Sequence, residues 1–104
     1  MEAALKAIAE PRRRAILRLV RDEERTAGEI AEAFEVTRPA ISQHLGVLKE
    51  AGLVHERREG TRRYYRARPQ GLHELKLFLE EFWDERLAVL KEAAEQEERR
   101  RRRG

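Results

Sequence analysis

Cysteine is absent from all 104 residues. That removes disulfides, thiolate metal sites and cysteine nucleophiles at once. No apolar stretch approaches the ~18 residues of a membrane-spanning helix, and the N-terminus lacks the pattern of a secretory signal. The chain is therefore expected to be cytoplasmic, with no membrane partner. Catalytic patterns are missing too: there is no carboxylate pair, no Gly-rich phosphate loop and no nucleophile motif. Ser42 and His44 stand two residues apart, a spacing that does not bring side chains face to face on a helix. No enzyme is expected, and no cofactor is implied.

What is abundant is charge, at 41% of residues against 40% hydrophobic. A chain of 104 residues predicts one small domain, which buries a modest share of its surface and gains from a second copy. The net charge of +3 hides a polarised distribution. Residues 37–68 hold eight Lys and Arg against three Glu, and residues 69–98 hold three basic against nine acidic residues. Five Arg occupy the last six positions. A basic middle without a hydrophobic anchor points to nucleic acid more than to membrane.

Residues 2–9 read as a short helix with Leu5 and Ile8 on one side. Pro11 suits the first turn of a second helix, which carries Ile16, Leu17, Leu19 and Val20 inward and is expected to stop near Asp22. Arg12, Arg13 and Arg14 occupy its first turn, where the helix dipole disfavours cations. A solvated face and a phosphate contact both fit them. Thr26-Ala27-Gly28-Glu29 has the capping-box pattern and starts a helix burying Ile30, Ala31 and Phe34. Thr37 caps the next helix, with Pro39 in the permitted first turn. Three or four residues join these two helices, the spacing of a helix-turn-helix.

The second of them has two faces. Ile41, Leu45 and Leu48 form an apolar stripe. Pro39, Ser42, Gln43 and Gly46 lie opposite, with Arg38 and Lys49 at one border and His44 at the other. Gln can pair bidentately with adenine, and Ser donates or accepts. Gly46 costs about 1 kcal/mol against Ala in a helix interior, so it either permits close approach or is simply tolerated. His44 is placed to meet a phosphate or to pack against the preceding helix.

Gly52 ends this helix as a C-cap. Leu53 and Val54 open a strand, Glu59-Gly60-Thr61 turns, and Arg63 to Ala67 returns with Tyr64 and Tyr65 on opposite faces. A basic hairpin directly after a helix-turn-helix is a wing. Arg57, Arg58, Arg62 and Arg63 flank its turn, and alternation prevents all four from facing one partner. Arg62, nearest the tip, is the first candidate for phosphate contact, and a wing arginine also suits a narrow minor groove.

After Pro69-Gln70-Gly71, Leu72 to about Glu95 predicts a long helix of about 36 Å. Leu72, Leu75, Phe78, Leu79, Phe82, Trp83, Leu87 and Leu90 make an apolar face wider than one stripe. It either packs on its own core or meets a second copy. The second reading is preferred, with Leu5 and Ile8 joining a homodimer interface. The expected organisation is a DNA-binding region over 1–68, a dimerisation helix of the same domain over 69–95, and a basic, disordered tail over 96–104. The expected fold is mainly α with a small β-hairpin, a winged helix-turn-helix of four helices, two strands and a final long helix.

The segments "AEPRRRAILRLV" (9–20), "TAGEIAEAFEVTRPAISQHLGVLKEAGLV" (26–54) and "RREGTRRYYRA" (57–67), with the final helix, resemble the ArsR-type winged-helix repressors. The pattern Ser-x-His-Leu-x-x-Leu-x-x-Ala-Gly-Leu-Val, from Ser42 to Val54, carries most of the likeness. The resemblance implies a homodimer that binds a palindromic operator in double-stranded DNA and represses transcription. It places the helix beginning at Thr37 in the major groove and the wing on the backbone. The expected DNA-contacting residues are Thr37, Arg38, Pro39, Ser42, Gln43, His44, Arg57, Arg58, Arg62 and Arg63.

The chain departs from the metal-sensing members of that family. The helix following Thr26 has no cysteine. Asp84 is followed by Arg86 where a ligand His is expected, His73 has Lys76 and Leu77 at i+3 and i+4, and His55 stands alone. The resemblance is therefore to the cysteine-less, metal-independent branch, and no metal is expected. An acidic protein partner on the basic face is the alternative to DNA, and activation is not separated from repression.

Overall fold

A computed structural model describes residues 1–103. The elements in order are α1 (Glu2–Ala9), α2 (Pro11–Leu19), β1 (Arg25–Thr26), α3 (Ala27–Phe34), α4 (Arg38–Glu50), β2 (Val54–Glu59), β3 (Arg62–Ala67) and α5 (Pro69–Arg103). The helix starts follow their caps. The Glu10 carboxylate accepts from the Arg13 N–H at 3.1 Å, ahead of Pro11. Thr26 Oγ1 accepts from the Glu29 N–H while Glu29 Oε1 accepts from the Thr26 N–H, both at 3.1 Å, completing the capping box. Thr37 Oγ1 accepts from the Ala40 N–H at 3.3 Å. Helix α2 stops at Leu19, short of Asp22, where the Val20 carbonyl turns away to accept from the Ala67 N–H at 3.0 Å.

Only Glu35, Val36 and Thr37 separate α3 from α4. Glu35 makes the turn in the left-handed region, at φ 55°. The end of α4 is a Schellman closure: Gly52, at φ 75°, donates to Lys49 O, and Leu53 donates to Leu48 O. The hairpin pairs Val54 with Ala67 through Glu59 with Arg62. A third strand was not anticipated. Arg25 and Thr26 pair with Tyr65 and Tyr64, so the sheet order is β1-β3-β2. Two residues are too short to show a period of two.

The helical head is held by one core. Ile16, Val20, Ile30, Ile41, Leu45, Leu48, Leu53 and Val54 are all but inaccessible. Each such side chain contributes roughly 1.5–3 kcal/mol of burial. Tyr65 and Ala67 close the core from β3, while Tyr64 faces the other way and is half-buried.

Helix α5 corrects the sequence reading twice. First, it runs to Arg103, about 52 Å from its start, so residues 96–103 are helical rather than a disordered tail. Residue 104 lies outside the described residues. The reason is ionic: Arg99 meets Glu95 at 3.9 Å, Arg101 meets Glu97 at 3.7 Å and Arg102 meets Glu98 at 2.9 Å, all at i,i+4. Arginines at a helix C-terminus also suit its dipole. Second, its apolar face is divided. Leu75 is only 5% exposed and belongs to the protomer's own core, with Leu72 and Leu79 packed partly against it. Leu5 and Ile8 of α1 are likewise half-buried on that core. Phe78, Phe82, Trp83, Leu87 and Leu90 remain uncovered. The molecule is consequently long, 70 × 27 × 22 Å.

Candidate nucleic-acid interface

The stripe of Ile41, Leu45 and Leu48 anchors α4 in the core and turns the opposite face outward. Thr37, Arg38, Pro39, Ser42, Gln43 and Gly46 are all exposed. Among the described residues, neither Ser42 nor Gln43 spends its side chain on a protein partner. A methyl group added at Gly46 would meet nothing within 4 Å. The space in front of this face is therefore open. His44 is half-buried at the border, with Nδ1 3.4 Å from Arg13 Nη1.

Two shallow clefts meet at Ser42. One, of about 510 Å³, lies between the starts of α3 and α4 and the wing, and gathers Arg38, Arg62 and Arg63 with Thr26 and Thr61. The other, of about 490 Å³, follows α4 past Gln43, His44 and Gly46. Cations stand here beside hydroxyl and amide groups, the chemistry that holds phosphates and reads base edges, with the carboxylates of Glu29 and Glu50 on the same linings.

The wing arginines divide by register. Arg57 and Arg62 share one face of the hairpin, and Arg58 and Arg63 share the other. Arg57 is already occupied. Its Nη2 donates to Glu24 Oε1 at 2.6 Å, its Nε to Glu24 Oε2 at 3.1 Å, and its Nη1 to Glu59 Oε2 at 3.0 Å. The guanidinium also lies 4.7 Å above the Tyr64 ring. These bonds raise the Arg57 pKa further, Glu24 contributing most, and the same contact lowers that of Glu24.

Arg63 Nε stands 3.8 Å from Glu56 Oε1. Burial alone would push the Glu56 carboxyl up, but hydrogen bonds from Lys49 at 3.4 Å and the Tyr65 hydroxyl at 3.2 Å hold it below its ordinary value. Glu29 is lowered by the backbone N–H of Thr26. Arg58 and Arg62 are exposed without a carboxylate partner among the described residues. The neighbouring Tyr64 hydroxyl raises the Arg62 pKa.

Sequence reasoning missed Glu24 and Glu56, and it missed the contact of Arg13 with His44. Glu24 lies 33 residues from Arg57, beyond the reach of any local pattern. The first-turn arginines of α2 also make contacts within the protomer. Arg13 and Arg14 donate to carbonyls of α1, and Arg12 lies 5.1 Å over the Phe34 ring. No group of three His, Cys, Asp or Glu suited to a metal occurs among the described residues. None of the described helices is long and apolar enough to cross a membrane.

A family profile described as "Bacterial regulatory protein, arsR family" matches residues 10–56, from the cap of α2 into β2. The HTH-type transcriptional regulator Rv2034 of Mycobacterium tuberculosis is 45% identical over 82 residues, covering 79% of this chain and 77% of that protein. The transcriptional repressor SdpR of Bacillus subtilis is 45% identical over 65 residues, covering 62% of this chain and 72% of that protein. Among solved structures, the homodimeric winged helix-turn-helix DNA-binding domain of a possible ArsR-family regulator from Mycobacterium bovis superposes with a TM-score of 0.66 at 38% identity, covering 81% of this chain and 78% of that one. The helix-turn-helix, the three-stranded wing sheet and these relatives agree: the chain belongs to the arsR family of bacterial regulatory proteins and has the winged helix-turn-helix fold.

Proposed function

We propose that the protein is a homodimeric, sequence-specific DNA-binding repressor of transcription. Helix α4 enters the major groove, and the wing tip around Arg62 lies on the backbone or in the minor groove. The observation that carries this reading is the bare face of α4, where Thr37, Arg38, Pro39, Ser42, Gln43 and Gly46 are exposed and a Cβ at Gly46 meets open space. Arg62 and Arg63 add positive charge beside it, Arg58 extends that charge along the wing, and Arg57 braces the wing from within. An acidic protein partner is not favoured, since it has no need of an uncharged Ser-Gln-Gly face. The exposed Phe78, Phe82, Trp83, Leu87 and Leu90 supply the dimer contact. The relatives named as a repressor and as a homodimeric DNA-binding domain support both halves of the reading. The protein performs no catalysis and needs no metal or cofactor. It works in the cytoplasm, where bacterial DNA lies.

The test is selection of bound fragments from the source genome, run with and without chelator. The expected result is a two-fold symmetric site, its half-sites about 10 base pairs or a multiple apart, with the same enrichment in both arms. Absence of any enriched sequence overturns the reading, and enrichment abolished by chelator overturns its metal independence.

A further inference from the structure

The guanidinium of Arg13 joins three elements. Its Nε donates to the Ala7 carbonyl at 2.7 Å and its Nη2 to the Lys6 carbonyl at 3.2 Å, satisfying two of the unpaired acceptors at the end of α1. Its Nη1 lies 3.4 Å from Nδ1 of His44 on α4. A guanidinium carries five donors and no acceptor, and it stays charged. A hydrogen bond between them requires Nδ1 to present its lone pair, with the proton on Nε2.

The second ring nitrogen has no protein partner among the described residues. It is not a buried orphan either, because Arg25 Nε alone has that status there. Nε2–H therefore reaches solvent, in a residue that lines the cleft along α4 with Ser42, Gln43 and Gly46. A free surface imidazole offers either tautomer, so each nitrogen donates or accepts as its partner requires. A ring held at Nδ1 by an arginine donates only. Such a donor matches phosphate oxygen, guanine O6 or N7, adenine N7 and thymine O4, and it mismatches the amino groups of adenine and cytosine.

We propose that Arg13 is a positioning residue for DNA reading: it fixes His44 as the Nε2–H tautomer and so makes His44 an obligate hydrogen-bond donor toward DNA. The inference rests on the DNA-binding reading above. Arg13 lines the same cleft and acts through the ring of His44. Because the same guanidinium closes α1, it also ties that helix to the reading helix.

The first measurement needs neither DNA nor a substitution that disturbs the core. A long-range ¹⁵N–¹H correlation spectrum of the wild-type chain, with the His44 signals assigned by their loss in His44→Gln, is expected to show the neutral Nε2–H pattern, Nδ1 lying far downfield of Nε2. An averaged or Nδ1–H pattern overturns the proposal. The second measurement is affinity for a duplex selected from a random library by the wild-type protein. Arg13→Lys and His44→Ala are each expected to lose about tenfold, and the double variant no more than either alone. Additive losses, or unchanged binding by Arg13→Lys, overturn the proposal.

Should Arg13→Lys fail to fold, His44→Gln and His44→Met decide. Gln keeps an outward N–H and is expected to retain binding to within about threefold, while Met loses about tenfold. Equal binding by the two overturns the donor role. If no duplex is selected at all, the DNA-binding reading falls and takes that role with it, whereas the tautomer measurement still decides whether Arg13 holds the ring.

Discussion

The head of the molecule and the outer part of α5 carry similar apolar residues at similar helical spacing, yet they use them oppositely. In the head, Ile41, Leu45 and Leu48 are 0%, 1% and 0% exposed. Along α5, Phe82, Trp83, Leu87 and Leu90 are 47%, 50%, 55% and 58% exposed. The difference lies in what surrounds them, not in their chemistry. The head has four helices and a sheet to close over one stripe, whereas α5 outruns that cover after Leu79. Apolar area left in water at this scale is surface waiting for a partner. The head is thus a finished unit and the arm an unfinished one.

Four measurements set head and arm apart. The largest effect is expected from Leu45→Ala, which opens a cavity in the head and costs about 2–5 kcal/mol in denaturant unfolding, while Leu87→Ala leaves the monomer's stability nearly unchanged. Equal losses at low protein concentration would erase the distinction between the two regions. Next is Phe82→Glu, expected to convert dimers to monomers in sedimentation while the far-ultraviolet helical signal stays in place. A wild type that sediments as a monomer at micromolar concentration removes the arm's assigned purpose.

Third, Thr26→Ala removes half of the capping box within the head and is expected to cost about 1 kcal/mol without changing association. A change in the dimer constant would show that the two regions are coupled. The smallest effect concerns acid. Glu24, Glu29 and Glu56 all have lowered pKa values in the folded chain. Each therefore contributes stability that is present above the ordinary carboxylate value of 4.5 and is lost as pH falls through the folded value. All three belong to the head, so its unfolding midpoint is expected to drop below about pH 4.5, and Glu29→Gln to flatten that drop. A midpoint that holds steady into acid contradicts the assigned contacts.

Much of the head was legible because its signals are local. The period of Ile41, Leu45 and Leu48, the Thr26–Glu29 cap, the Gly52 stop and the alternation of Tyr64 and Tyr65 each lie within a few residues. So did the exposed face of α4. The parts that were not legible are set by distance or by cover. The pairing of Arg57 with Glu24, which comes from a loop 33 residues away, has no local signal. Leu75 and Phe82 fall on one helical face, and only the extent of the head decides which is buried. The turn residue Glu35 adopts a left-handed conformation usually left to Gly or Asn, so its sequence carried no turn signal. The helical end of α5 was legible in principle, since Glu95, Glu97 and Glu98 precede Arg99, Arg101 and Arg102 by four.

Beside the packing of Leu72, Leu75 and Leu79, a backbone contact also joins the finished head to the arm. Gly71, buried in the first turns of α5, rests directly on the carbonyl of Gly52, and a Cβ there would overlap that oxygen. Backbone lies on backbone there, with the Arg68 guanidinium donating to the same carbonyl at 3.3 Å, and the close contact can serve as the fulcrum of a lever formed by α5. From Gly71 to Arg103 the lever is about 48 Å long, so a tilt of about 5° displaces its far end by about 4 Å. When the arms of two copies are clasped together, the same tilt swings the heads instead. In the proposed dimer, the distance between the two reading helices is then a mechanical quantity, geared at a glycine that meets no base.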